Sequence, residues 1–138
     1  MRIKAWCTLL VLGLAALSSC DSTEESVHGH TPASAKLFLA GGQELTPNVQ
    51  LARGAAVLVE VRFYAANGDL ITGLETEHAT AVTFSPAALA TVTPVAGHKF
   101  HFDVTAQNAA GTGTVTLGYG HGTNTSELTF GPFPVTIP

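Results

Sequence analysis

Six histidines stand in this chain of 138 residues, at His28, His30, His78, His98, His101 and His121. A neutral imidazole offers a ring-nitrogen lone pair, the donor preferred by borderline metals such as Zn²⁺, Cu²⁺ and Ni²⁺. None of the spacings is a known zinc pattern, so ligands would have to converge from separate loops. Glu75 and Glu77 beside His78 could add carboxylate oxygen. The ordinary fate of a loop histidine is a solvated polar side chain, and that reading stands beside the metal one. For catalysis the sequence offers little. It holds no G-x-S-x-G elbow and no H-E-x-x-H, and Gly111-x-Gly113 and Gly118-x-Gly120 open no helix that could cradle phosphate. His101 and Asp103, two apart on one strand, share a face and are expected to pair with each other. The expectation is a noncatalytic protein.

The elements that must position the histidines are strands. In Ala56 to Ala65, AVLVEVRFYA, Val57, Val59, Val61 and Phe63 alternate with Leu58, Glu60, Arg62 and Tyr64, the period of a half-buried strand. Leu37 and Leu39 mark a first strand, and Val49-Leu51 a second short piece. Thr80 to Ser85 and Leu89 to Thr93 follow, each closed by a proline. Lys99 to Thr105 puts Phe100, Phe102 and Val104 on one face; Thr112 to Tyr119 does the same with Val115, Leu117 and Tyr119. The last strand, Leu128 to Ile137, contains Gly131-Pro132 and Pro134, which demand an edge, a bulge or a change of sheet. Residues 36–138 are about the length of one immunoglobulin-like sandwich, an all-β antiparallel fold of about seven strands.

That fold gives the histidines a common place. Successive connections of an antiparallel sandwich alternate between its two ends. If Ala56, Thr80, Leu89, Lys99, Thr112 and Leu128 open strands B to G, then His78, His98 and His121 lie in connections at one end. These three are the candidate metal ligands. Glu77, His28 and His30 are weaker ones, since the extra residues after Gly41 leave the exit of the N-terminal segment open. His101, three residues from His98 on an extended strand, is expected to point away from it. A sugar platform would need a row of exposed aromatics, and beyond residue 30 the chain has no Trp; Tyr64 and Phe38 are the outward candidates, expected to cover neighbouring stems.

The start of the chain is of a different kind. Arg2 and Lys4 precede an apolar run, Ala5 to Leu17, too short for a stable membrane span, so residues 1–19 read as a signal peptide. The run ends in Leu17-Ser18-Ser19-Cys20, which resembles the lipobox of bacterial lipoproteins. The resemblance implies lipidation of Cys20 and anchoring to a membrane of the cell envelope, inner or outer. An ordinary secretory signal would leave Cys20 as a lone reactive thiol. Residues 20–35, acidic and without periodicity, read as a tether. Without Arg2 and Lys4 the chain keeps 4 of its 6 basic residues against 10 acidic ones, a net charge of 4 − 10 = −6, which argues against nucleic acid as a partner.

Two further segments carry a second resemblance. Phe84 to Thr93, FSPAALATVT, and Ala109 to Thr116, AAGTGTVT, are similar to the group 2 bacterial Ig-like domains. That resemblance implies a binding or spacer module, with an envelope protein as a possible partner and no particular ligand. The expected function is therefore an anchored, noncatalytic Ig-like module. The alternative is an envelope protein that binds Zn, Cu or Ni through loop histidines.

Overall fold

The computed structural model describes residues 31–138. The leader, Cys20, most of the tether, His28 and His30 lie outside the described residues. Alternation produces strands where it was expected. β1 (Ser34–Leu39), β3 (Ala56–Tyr64), β6 (His101–Ala106) and β5 (Ala90–Pro94) form one sheet in the order β1-β3-β6-β5. β2 (Val49–Gln50), β8 (Leu128–Ile137), β7 (Gly111–His121) and β4 (His78–Ser85) form the other, in the order β2-β8-β7-β4. Short 3-10 turns precede β4 at Leu74–Thr76 and β5 at Ala87–Leu89. These two sheets make the immunoglobulin-like sandwich, with eight strands because β2 adds to the seven.

All pairings are antiparallel except that of β2 with β8, which is parallel. The residues after Gly41 explain it. They turn back over β1 through the Phe38–Glu44 bridge and a Leu45 N–H bond to the Leu37 carbonyl, then cross to the second sheet as β2. The strand order thus resolves the open question about this segment as a change of sheet. β8 tolerates its prolines because β2 pairs only with Val135 and Thr136, leaving the earlier part of β8 as an edge. The β7–β8 ladder also shifts register between Val115 and Leu117, the bulge expected of such a strand.

Inward residues of both sheets meet at Phe63, whose ring lies edge-on to Phe100 at 5.5 Å and to Tyr119 at 4.7 Å between centroids. Full burial of Val59, Val61, Phe63, Val104, Val115, Leu117, Val135 and Ile137 makes this the main source of stability. The sandwich takes in slightly more chain than expected: β1 begins at Ser34, Ala35 is buried, and the Ala33 N–H bonds to the Tyr64 carbonyl. Phe38 faces outward but is covered by Arg62, whose guanidinium carbon lies 4.3 Å from the ring centre.

Candidate metal-binding end of the sandwich

Antiparallel register brings His78 and His121 together. β4 and β7 pair from His78↔His121 to Ser85↔Thr114, so the first residue of one strand faces the last of the other. His78 is 8% exposed and stacks on Tyr119 at 4.9 Å and 15° between planes, closing the end of the core. It is a strand residue rather than the loop residue expected. The two Nε2 atoms are 3.0 Å apart.

Each ring is held from behind. His78 Nδ1 lies 3.3 Å from the Leu74 carbonyl, and His121 Nδ1 lies 2.7 Å from Glu127 Oε2. A carbonyl and a carboxylate only accept, so Nδ1 is the donor in both contacts, and the two Nε2 atoms meet either as a hydrogen bond with one of them protonated or as two acceptors. In the second case the pair needs an electropositive centre between them, such as a metal ion. Metal-bound histidines are oriented in this way, with the second nitrogen tied to carbonyl or carboxylate. The hydrogen bonds from the His121 ring and backbone N–H hold the Glu127 carboxyl below the usual carboxylate range. Burial pushes the Tyr119 hydroxyl up, with the Glu127 charge a smaller cause.

Glycine lets the chain reach this arrangement. Gly118 and Gly120 lie under the 122–127 connection, where a Cβ would run into the carbonyl oxygens of Thr125 and Asn124 respectively. Bare backbone allows that connection to fold onto β7 and deliver Glu127 to His121. Asn124 ties it down, accepting from the Ser126 N–H and hydroxyl at 3.0 Å each.

His98 is in a different group. It stands in the turn between β5 and β6, its ring 5.1 Å from that of His101 and at 66° to it. The expectation that these rings point apart fails for a local reason. The chain is extended only from His101 onward, and Gly97, at φ 81°, turns it so that the His98 N–H meets the Val95 carbonyl at 3.1 Å. Pro94 and Gly97 were the signals in the sequence that could have shown it. His101 likewise turns to Glu75, with Nδ1 3.8 Å from Oε1, where Asp103 was the expected partner.

One ligand atom each from Glu75, His98 and His101 lies within 4.8 Å of the other two. No other group of three such residues occurs among the described residues. The segment 74–77 separates the two histidine groups and touches both: Leu74 supports His78, Glu75 faces His101, and Lys99 Nζ donates to the Thr76 carbonyl at 3.1 Å. His78, His98 and His121 are therefore gathered around the 74–77 segment, but His78 and His121 pair off while His98 joins His101. Glu77 is exposed, with its carbonyl accepting from the Gly122 N–H at 2.8 Å. Beside Glu75 opens a cleft of about 430 Å³ between Glu60, Arg62, Leu70, Gly73 and Phe100. Compared with known protein families, curated proteins and solved structures, the chain matches none.

Proposed function

We propose that the chain is a lipid-anchored lipoprotein of a bacterial cell envelope carrying one noncatalytic Ig-like binding or spacer module of the group 2 kind. The supporting observation is the closeness of the sandwich to the lipobox. With Pro32 buried and β1 opening at Ser34, only Asp21 to Thr31 separate Cys20 from the domain, at most about 40 Å fully extended. Such a module stands directly off the membrane and offers its surface to neighbouring envelope proteins. Acyl chains on Cys20 supply an anchor that the acidic domain could not supply by charge. The test is the mass of the mature N-terminal peptide from the membrane fraction of a bacterial host. A diacylglyceryl-modified Cys20, with Cys20→Ala released from the membrane, is the expected result. An unmodified Cys20 in a freely soluble product would end this reading.

A second reading is favoured by the His78–His121 pair: the module binds a transition metal, Zn²⁺, Cu²⁺ or Ni²⁺, between the two Nε2 atoms. Both rings have the orienting partners a metal site needs. Thermal melts of the chelator-treated domain test it. A metal at a hundred times its Kd adds about 2.7 kcal/mol, a rise of roughly ten degrees or more for a domain of this size. His78→Ala and His121→Ala should each remove this pair's share of the rise; a rise undiminished in both places the metal elsewhere.

A further inference from the structure

We infer that Glu75, His98 and His101 form a distinct three-ligand site for Zn²⁺. It deepens the metal reading of this end of the sandwich but uses neither His78 nor His121. Two imidazoles and one carboxylate, with a fourth position left to water or an exogenous ligand, are a set that zinc accepts.

Three observations carry it. The ligand atoms already lie within 4.8 Å of one another, and bonds of about 2.0–2.1 Å in a tetrahedron require about 3.3 Å between them. The remaining movement is small and falls on the side chains best able to make it, since Glu75 and His98 are exposed and stand on turns. The fixed member is His101, on β6. Its Nδ1 is buried, has no hydrogen-bond partner, and points toward Glu75 at 3.8 Å, beyond hydrogen-bond reach. A buried nitrogen left without a partner costs free energy that coordination would recover.

The surroundings favour a cation. Glu60, opposite His101 in the β3–β6 register, adds a second carboxylate field, although Arg62 holds that side chain at 2.7 Å. That engagement leaves Glu75 as the carboxylate that turns to the histidines. Glu75 also lines the cleft beside the group, so a small ligand held in that cleft would lie against one of the three ligating side chains. Lys99, the nearby cation, points instead to the Thr76 carbonyl.

The test uses the fragment 31–138, which contains both sheets and their shared core and lacks His28 and His30. Zn²⁺ is titrated calorimetrically into this fragment and into His78→Ala/His121→Ala, His98→Ala, His101→Ala and Glu75→Gln variants, each checked for folding by its melt. Loss of an outer-shell partner alone weakens zinc sites 10–100-fold, so removal of a ligand should weaken binding by about 100-fold or more. The expected result is a zinc equivalent that survives in His78→Ala/His121→Ala and is lost in the other three. Binding that survives His98→Ala and Glu75→Gln but disappears in His78→Ala/His121→Ala overturns this site and leaves the paired site standing. No zinc binding to the unsubstituted fragment overturns both. Should His101→Ala not fold, NMR of the unsubstituted fragment decides: zinc must shift the ring resonances of His98 and His101, and an unmoved pair ends the proposal.

Discussion

The two histidine groups at this end of the sandwich are built on opposite plans. His78 and His121 are the first and last residues of paired strands, packed on Tyr119 and tied to Leu74 and Glu127. Glu75, His98 and His101 are gathered largely by turns, exposed at two of three positions, with one nitrogen unsatisfied. The first group is part of the fold, with both rings already oriented by their neighbours. The second stands largely on turns, and its side chains would have to draw together to hold a ligand. Preorganisation lowers the cost of binding, whereas a group that must close on its ligand can also report the ligand's presence.

Stability should separate the plans most strongly. His78→Ala removes a buried ring and the packing over Tyr119, a loss of about 2–3 kcal/mol in urea unfolding. His98→Ala, on an exposed turn, should stay within about 0.5 kcal/mol of the unsubstituted domain. Equal losses at the two positions would show that the second group also bears on the fold.

A smaller effect should come from the glycines that shape each group. Gly120→Ala pushes a Cβ against the Asn124 carbonyl, lifts the 122–127 connection and draws Glu127 off His121, at about 1–3 kcal/mol. At Gly97 the space is open, so Gly97→Ala costs only the left-handed backbone, about 1 kcal/mol. If Gly97→Ala proves the more harmful, the turn that carries His98 is held by more than its own backbone.

The same contrast explains what could be read from the sequence. Strand-borne features follow from period-two alternation and from the rule that connections alternate between ends. Hence β3, the aromatic core around Phe63 and the convergence of His78 with His121 were all accessible. Turn-borne features were not. The pattern of Phe100, Phe102 and Val104 continues a strand backward through Lys99, and all three are indeed buried, yet Lys99 and Phe100 lie in a turn. A burial pattern cannot tell a strand from a turn that happens to bury the same face. Asp103, two residues on from His101 along β6, is the partner that alternation alone suggests. The contact with Glu75 depends on how a connection of thirteen residues between β3 and β4 folds, which no periodicity records.

The smallest expected effect concerns the charge beside the second group. The hydrogen bond from Arg62 is the main cause that holds the Glu60 carboxyl below its ordinary range, with the Arg62 charge adding to it and His101 a minor cause. A folded value below the unfolded one, about 4.3, means that the ion pair contributes its full stability above that pH. The contribution fades as pH falls through the lower folded value. Because Glu60 and Arg62 are partly solvated, it should not exceed about 1 kcal/mol at pH 7. Glu60→Gln should therefore be slightly less stable than the unsubstituted domain at pH 7, with the gap closing well below pH 4. A gap that stays constant with pH would mean that glutamine disturbs packing on this face. If His101→Ala closes the gap as much as acid does, the field at Glu60 belongs chiefly to the histidine group, and metal binding there should then be weakened by Glu60→Gln as well as by Glu75→Gln.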